Sequence, residues 1–591
     1  MRRLKLVLSP VIALAGFTFT ASTVTLFGLG TIQQAGIPTA EWWGYLFATM
    51  PDAYTQSWVN EWLLYGAAAG LITAGLAVYR ILGEDGVPFG RDGRALFGSA
   101  KYATPRQGRK SGLIYSFRPR PDCILLGRTA GFLGMGKRYV CLPGPEHALL
   151  YARTGSGKGV AYVVPNCFNY ADSLVVLDIK RENYTRTAAH RENTLGQDVF
   201  LFSPLAENGA THCWNPVGGI DESQPDYLSR IQRRAFNLFP EVGMANRNKF
   251  WQDSARTAWT GIATLICETP GMDLTPASIF RFFTRGDSVE TIARMVEERR
   301  ATDRPYTQDC VNLLSDYLRG NEDMVQGIRK QVTSTMGIWF NPKVVASTSR
   351  SDFDLRDLRR RKMTIYIGVM PSDLEQLGFL LRLFFLQLFD ACMDSHPDYD
   401  STITHRCHVL MDELTALPPM RPIAKANGFA RGFGLHFSFV VQTKTDLRDE
   451  YKEDGLASLL GNLGAEIVFG TNDELLTKEV SERTGYDTVE NVSRSAPRFF
   501  GWFRAKEQNE NTGQAKRALL LPQEVNELPD DEEIMFRKGA PAFRLKRNCW
   551  YVDTNFMNLE QTPVEPLPVA YTLDRDDGSV KFPTEKPGKA A

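Results

Sequence analysis

The sequence lacks the cysteine and histidine spacing of a metal-binding or disulfide-rich protein. Its nine cysteines include no CxxC pair, and the two nearest in the sequence, Cys392 and Cys407, are 15 positions apart. This spacing excludes a zinc-ribbon site, and the odd, scattered set of thiols favours a reduced, cytosolic body. The seven histidines are likewise scattered, and only His405 and His408 lie as close as three positions apart.

The sequence also lacks an excess of charge of either sign. Lys plus Arg and Asp plus Glu both number 68, so the formal net charge is zero. No global basic field indicates nucleic-acid binding, and any such contact must come from a local patch or an assembled pore. Hydrophobic residues make up 43% and charged residues 23%, which excludes a disordered, collagen-like or many-pass membrane chain.

Long uncharged runs occur near the N-terminus. Residues 6–40 carry no charge, and residues 62–79 form a second such run, so both approach or exceed the roughly 20 residues that span a bilayer. Lys and Arg flank the outer ends of the two runs and are absent from residues 31–61, which predicts a two-pass anchor with the N-terminus and the main body in the cytoplasm. A cleaved signal peptide is the alternative for the first run, but that run is longer than the apolar region of a signal peptide and a second run follows it.

Apolar runs alternate with helical patterns through the rest of the chain. Seven runs are predicted as strands, most of them apolar throughout as in parallel strands buried on both faces: 147–152, 173–177, 198–202, 363–369, 407–411, 437–441 and 466–469. This alternation predicts a doubly wound α/β sheet. The predicted organisation is a membrane anchor at 1–82, an α/β domain in two parts at 83–219 and 346–555, an all-α insertion at 220–345 and a flexible, proline-rich tail at 556–591.

A glycine-rich loop follows the first predicted strand. A strand–glycine loop–helix unit directs backbone N–H groups at phosphate oxygens, and Lys158 would reach the β- and γ-phosphates of ATP. The match to G-x-x-x-x-G-K-[ST] is imperfect because Ala152 replaces the first glycine and Gly159 the hydroxyl residue, which leaves one Mg²⁺ ligand unassigned; a surface loop is the alternative. Six residues are predicted to bind the nucleotide: Thr154, Gly155, Ser156, Gly157, Lys158 and Gly159.

The predicted strand 407–411 ends in Asp412 and Glu413. At that position Asp412 would hold Mg²⁺ and Glu413 would activate the attacking water, although an acidic pair alone would indicate only a solvated strand end. Gln442 follows the next predicted strand and would sense the γ-phosphate. Arg431 would act as an arginine finger on a neighbouring subunit's nucleotide, or it lies in a solvated turn.

Several strings of the sequence, in this order, resemble the type IV secretion system coupling proteins, the TraG/TraD-like hexameric ATPases. They are two N-terminal apolar runs, RTGSGKGV, LVVLDIKRE, FSPL followed by THCWNPV, TSRSDFDLRDLRRRKMTIYIGV, LMDEL and VVQT, and the resemblance covers about residues 1–555. The THCWNP and SRSDF…DLRR strings are more specific to the family than the nucleotide motifs. Because the family often has glycine after the loop lysine, Gly159 departs from the general motif and not from this family.

The resemblance implies a RecA-like P-loop nucleotide-binding domain with an inserted all-α domain, preceded by two transmembrane helices. It implies a homo-hexamer in the bacterial inner membrane that binds ATP and Mg²⁺ between subunits. Carried onto this chain, Lys158 is the phosphate-binding lysine, Asp412 and Glu413 are the Walker B pair and Gln442 is the glutamine after the next strand. Arg431 matches the family's trans-acting arginine less closely. Asp178 and Lys180, in LDIK, either support the site or shape the turn.

The sequence therefore predicts an ATPase that recruits cargo to a type IV secretion channel and drives its transfer. The implied partners are channel components and either a relaxase-bound single strand of DNA or effector proteins, and the sequence leaves open whether the cargo is DNA, protein or both. One alternative is an FtsK-like DNA translocase, which shares the ATPase core but not the THCWNP and SRSDF strings. Another is a docking receptor in which ATP serves assembly.

Overall fold

The computed structural model describes residues 19–21, 23–24, 61, 64–74, 98–131, 136–240, 246–420, 428–495, 509–560, 567–573 and 580–581. The chain divides into two compact units, residues 1–95 and 96–591. In the first unit an apolar helix, Leu64–Ala74, lies within the second predicted span, and its Leu71 and Ile72 are exposed. The first predicted span and the rest of the second lie almost wholly outside the described residues.

A twelve-stranded sheet forms the centre of the second unit. Its strands are β1 (Ile114–Ser116), β2 (Cys123–Arg128), β3 (Tyr139–Pro143), β4 (His147–Tyr151), β5 (Ser173–Ile179), β6 (Asp198–Phe202), β7 (Met363–Val369), β8 (Cys407–Met411), β9 (Leu435–Val441), β10 (Leu463–Val468), β13 (Glu532–Phe536) and β14 (Phe543–Lys546). Two separate two-stranded ladders pair β11 (Tyr486–Ser495) with β12 (Asn509–Ala518) and β15 (Thr572–Leu573) with β16 (Val580–Lys581).

The sheet is mixed. Seven strands are parallel, in the spatial order β10-β4-β9-β8-β5-β7-β6, and they confirm all seven predicted runs. Strands such as β4, β7, β8 and β9 are buried along their whole length, which is why their sequences are apolar on both faces. Beyond β10, the strands β13, β14, β2, β3 and β1 continue the sheet in antiparallel order.

Fourteen named helices accompany the sheet in the described part of the second unit. They are α1 (Pro105–Lys110), α2 (Val164–Asn169), α3 (Glu182–Asn193), α4 (Tyr227–Leu238), α5 (Asn246–Glu268), α6 (Pro276–Thr284), α7 (Ser288–Arg300), α8 (Gln308–Arg319), α9 (Glu322–Thr335), α10 (Pro342–Ser347), α11 (Leu374–Met393), α12 (Lys444–Leu460), α13 (Glu474–Thr484) and α14 (Pro522–Asn526). Among the described helices, only Pro371–Met393, which contains α11, has the length and apolar composition of a membrane span. It is mostly buried in the second unit, as a core helix is.

The chain between β6 and β7 contains helices and no named strand among the residues that the structure describes. The two family-specific strings meet where the chain leaves the sheet and returns to it. The backbone N–H of Cys213 donates to Asp352 Oδ2 at 2.7 Å, and that of Asn215 donates to Ser351 Oγ at 3.1 Å. The THCWNP and SRSDF strings therefore fasten the two ends of the helical region to each other.

The prediction of a flexible tail is wrong for residues 567–573. Ala570 and Tyr571 are buried, and the backbone N–H of Ala570 donates to Gly209 O at 2.9 Å. The Tyr571 hydroxyl donates to Ala206 O. The proline content suggested an unfolded tail, but one apolar pair within it packs against the loop that follows β6.

Candidate nucleotide-binding site

The carboxyl ends of three neighbouring parallel strands bring the predicted site residues together. The glycine loop follows β4, Gln442 follows β9, and Asp412 and Glu413 follow β8, in the spatial order β4-β9-β8. Ligands of open α/β sheets bind at this edge, because the loops that leave parallel strands converge there. Residues separated by more than 250 positions thus share one edge of the sheet.

The glycine loop is shaped to admit a ligand. Gly155 and Gly157 have φ of +79° and +84°, a conformation that favours glycine. A Cβ atom placed on Gly155 or Gly159 would meet nothing within 4 Å, so no protein atom occupies the space above these glycines. The segment Gly159–Val163 is a π-helical turn that continues into α2, and such turns are frequent at functional sites.

Lys158 is held by the two carboxylate residues after β8. Its Nζ donates to Glu413 Oε2 at 3.0 Å and to the Asp412 carbonyl oxygen at 2.8 Å, and it lies 3.5 Å from Asp412 Oδ1. The lysine is partly buried, so these charge-assisted bonds are screened less than surface pairs would be. The predicted phosphate lysine and the predicted Walker B pair therefore form one cluster.

Gln442 and two threonines complete this cluster. Gln442 Nε2 donates to Glu413 Oε2 at 2.9 Å, and its Oε1 accepts from Thr154 Oγ1 at 3.0 Å. Thr415 Oγ1 donates to Glu413 Oε1 at 2.9 Å. Each Glu413 oxygen thus accepts at least one hydrogen bond, which fixes the carboxylate in one orientation. The role of Thr415 was not predicted; its only sequence signal is its place two residues after Glu413.

Asp412 has the character of a cation ligand. Its Oδ1 atom is buried and has no hydrogen-bond partner, and the Lys158 ammonium lies 3.5 Å from it. Burial raises the pKa of Asp412; Lys158 lowers it, and Glu413 raises it further. A hard cation prefers an oxygen ligand of this kind. Among the described residues, no group of three His, Cys, Asp or Glu could hold a metal ion by itself.

Arg431 lies away from this cluster. It begins the short 3₁₀ turn Arg431–Phe433 before β9, whereas Gln442 follows the same strand, so about 20 Å of strand separates the two edges. Its guanidinium is half exposed, and Nη2 lies 3.9 Å from Glu146 Oε1. The structure does not bring Arg431 to the loop of its own chain.

Asp178 supports a helix and does not enter the cluster. It is fully buried, and its carboxylate accepts from the backbone N–H groups of Asn183 (3.1 Å) and Tyr184 (2.7 Å), at the start of α3. Burial raises the pKa of Asp178 to about 7, although these hydrogen bonds lower it. Of the two assignments left open for Asp178, the observed contacts are structural. Lys180, two residues on, is exposed and has a φ of +75°.

Sequence comparison identifies relatives over most of the chain. The family model described as type IV secretory system conjugative DNA transfer matches residues 99–573. Protein VirD4 of Rhizobium radiobacter is 30% identical over 488 residues, which cover 82% of this chain and 68% of VirD4. The conjugal transfer protein TraG of Escherichia coli is 22% identical over 552 residues, covering 85% of each chain.

Solved structures share the fold. The unbound form of the bacterial conjugative coupling protein TrwBdeltaN70 aligns with a TM-score of 0.54 and 16% identity, covering 82% of this chain and 97% of that one. The plasmid coupling protein TrwB in complex with ADP and Mg²⁺ aligns with a TM-score of 0.51 and 17% identity, covering 82% of this chain and 98% of that one. With the phosphate-loop cluster at the edge of the shared α/β sheet, the match across residues 99–573 shows that the chain belongs to the type IV secretory system conjugative DNA transfer family, the type IV coupling proteins.

Proposed function

We propose that this chain is an inner-membrane ATPase that recruits substrate to a type IV secretion channel and powers its transfer by ATP hydrolysis. The observation that carries the proposal is the cluster of Lys158, Glu413 and Gln442 at the ends of β4, β8 and β9. A loop lysine, a carboxylate and an amide at adjacent strand ends are the parts that phosphoryl transfer to water requires.

Each residue of the cluster has a distinct role in this proposal. Lys158 exchanges its carboxylate partners for the β- and γ-phosphates when ATP binds, and the amides of the loop from Thr154 to Gly159 surround those phosphates. Glu413, still held by Gln442 and Thr415, accepts a proton from the attacking water. Asp412 would hold Mg²⁺, which neutralises charge on the phosphates.

The assembly follows from the same proposal. The nucleotide-binding domain is RecA-like, consists of residues 83–219 and 346–555, and carries the all-α domain 220–345 as an insertion. Two N-terminal spans anchor it with the body in the cytoplasm. In a homo-hexamer, the half-exposed Arg431 reaches the nucleotide of a neighbouring subunit as an arginine finger. The partners of the hexamer are channel components and either relaxase-bound single-stranded DNA or effector proteins.

ATP hydrolysis by the full-length protein, purified in detergent and assayed with and without single-stranded DNA, tests this proposal. Wild-type protein is expected to hydrolyse ATP faster with DNA, and Glu413→Gln is expected to abolish hydrolysis in both conditions. Hydrolysis that is indifferent to DNA would shift the cargo towards protein effectors. Hydrolysis that survives in Glu413→Gln would contradict the assigned site.

A further inference from the structure

A residue far along the sequence contacts the phosphate loop. Arg547 directly follows β14, and its Nη1 donates to the carbonyl oxygen of Ser156 at 2.7 Å. Ser156 lies between Gly155 and Gly157, the two loop residues with left-handed backbone conformations. Arg547 therefore holds the carbonyl group of the residue that lies between these two glycines.

The Arg547 side chain is itself immobilised. It is 7% exposed, its Nε donates to the Glu532 carbonyl oxygen at 2.8 Å, and its guanidinium lies 3.8 Å from the ring centroid of Phe469. Phe469 directly follows β10, the strand beside the loop strand β4. A planar guanidinium with a fixed carbonyl partner and a fixed aromatic partner gives the loop a rigid support.

Arg547 interacts electrostatically with the buried Glu533. Glu533 is 1% exposed and its Oε1 has no hydrogen-bond partner; burial raises the pKa of Glu533 well above its usual range, and Arg547 offsets only part of that rise. The side chain fits because Gly127 leaves room, since a Cβ atom at residue 127 would lie 2.0 Å from Glu533 Oε1. Burial thus favours the neutral carboxyl of Glu533, and the contacts that fix the guanidinium are those with Glu532, Phe469 and Ser156.

We propose that Arg547 is a positioning residue for the phosphate loop. By holding the Ser156 carbonyl, it fixes the peptide unit that Ser156 shares with Gly157, and so keeps the Gly157 N–H in the orientation that receives a phosphate oxygen. This inference rests on the proposed nucleotide site, to which it adds a support from the β13–β14 hairpin at the other end of the sequence.

Three variants of the full-length protein test this role. Arg547→Met removes the support, and with it the charge that lowers the pKa of the buried Glu533. Glu533→Gln combined with Arg547→Met makes residue 533 neutral at every pH. Arg544→Ala, on the same hairpin, removes a partly exposed arginine whose partner is Glu532 and serves as the matched control. The measurements are the Kd for a non-hydrolysable ATP analogue, KM and kcat for ATP, and the thermal unfolding midpoint.

We expect Arg547→Met to weaken analogue binding and raise KM about tenfold, with a smaller effect on kcat. The double variant should regain the thermal midpoint without regaining nucleotide affinity, and Arg544→Ala should bind as wild type. Recovery of affinity together with stability in the double variant would show that Arg547 is merely structural and overturn the proposal, as would unchanged binding in Arg547→Met. If Lys158→Ala leaves analogue binding intact, the proposed nucleotide site itself fails, which is a separate result.

Discussion

Charged residues at the two edges of the parallel sheet differ in whether their hydrogen-bonding atoms have partners. At the carboxyl edge, Asp412 Oδ1 has no hydrogen-bond partner and the space above Gly155 and Gly159 is open. At the amino edge, Glu146 forms two bonds with Arg537, at 3.0 and 3.1 Å. Arg537 also donates to the carbonyl oxygens of Gly464 and Ser111. Glu146 and Arg537 therefore satisfy each other at the amino edge, whereas Asp412 keeps unused acceptor capacity at the carboxyl edge.

The difference indicates that the amino edge stabilises the fold and the carboxyl edge binds a ligand. The basic run 359–362 directly precedes β7 and therefore lies at the amino edge. Arg359 is buried and donates to the carbonyl oxygens of Cys392 and Ser395, and Arg360 pairs with Asp400. These contacts are with the protein itself, and they lie at the opposite edge of the sheet from Lys158.

The largest expected effect comes from Glu413→Gln at the carboxyl edge. Loss of the carboxylate that activates water should lower the hydrolysis rate by about a hundredfold or more, because general-base catalysis contributes on that scale. The amide can still contact Lys158 and Gln442, so the Kd for ATP should stay close to that of wild type. Steady-state hydrolysis and analogue titration measure the two quantities, and a hydrolysis rate within about threefold of wild type would contradict the role.

Glu146→Ala should have the opposite profile at the amino edge. Removal of the partner leaves Arg537 mostly buried with an unpaired charge, which should cost about 2 to 3 kcal/mol of unfolding free energy. The Lys158–Glu413 cluster at the carboxyl edge is untouched, so the Kd for a non-hydrolysable ATP analogue should be unchanged below the unfolding midpoint. Asp122→Ala, whose pair with Arg120 is exposed, is the matched control and should cost less than about 1 kcal/mol. If urea unfolding gave the same loss of unfolding free energy for both variants, the expected difference between a buried and an exposed ion pair would be contradicted.

The interior between the two edges should respond to acid. His408 is fully buried, and burial, with Arg191 and His147, lowers its pKa to about 3. The unfolded chain therefore binds more protons below pH 6.5, and stability should fall as the pH decreases from about 6.5 towards 3. His408→Gln should reduce the loss of unfolding free energy between pH 7 and pH 5 by about 2 kcal/mol. An identical pH dependence in the variant would contradict this assignment.

Asp412→Asn should give the smallest change in stability, and this change should be a gain. The pKa of Asp412 is raised in the fold, so the folded protein favours the protonated carboxyl and the charge at neutral pH is destabilising. The nucleotide-free variant should therefore unfold at a slightly higher temperature than wild type at pH 7, while Mg²⁺-dependent nucleotide binding is weakened. A lower thermal unfolding midpoint, together with nucleotide binding whose Mg²⁺ dependence is unchanged, would contradict the assignment of Asp412 as a cation ligand.

The sequence predicted the parallel strands and the members of the site, but not every support of the site. Continuous apolar runs identified all seven parallel strands because burial on both faces demands such residues. The loop, Asp412, Glu413 and Gln442 were found because each stands directly after one of those strands. Arg547 was not found in this way, because the sequence around it gives no sign of the contact. An antiparallel hairpin places its Nη1 2.7 Å from the carbonyl oxygen of Ser156, which is 391 residues away in the sequence.

Transfer by cells that carry Lys158→Ala in place of the wild-type gene tests the central claim most directly. Lys110→Ala, which changes an exposed lysine in the last turn of α1, is the matched control. If the carboxyl edge binds and hydrolyses ATP to drive secretion, Lys158→Ala abolishes substrate transfer while the protein remains folded and in the membrane, and Lys110→Ala transfers as wild type does. Full transfer by Lys158→Ala would contradict the claim.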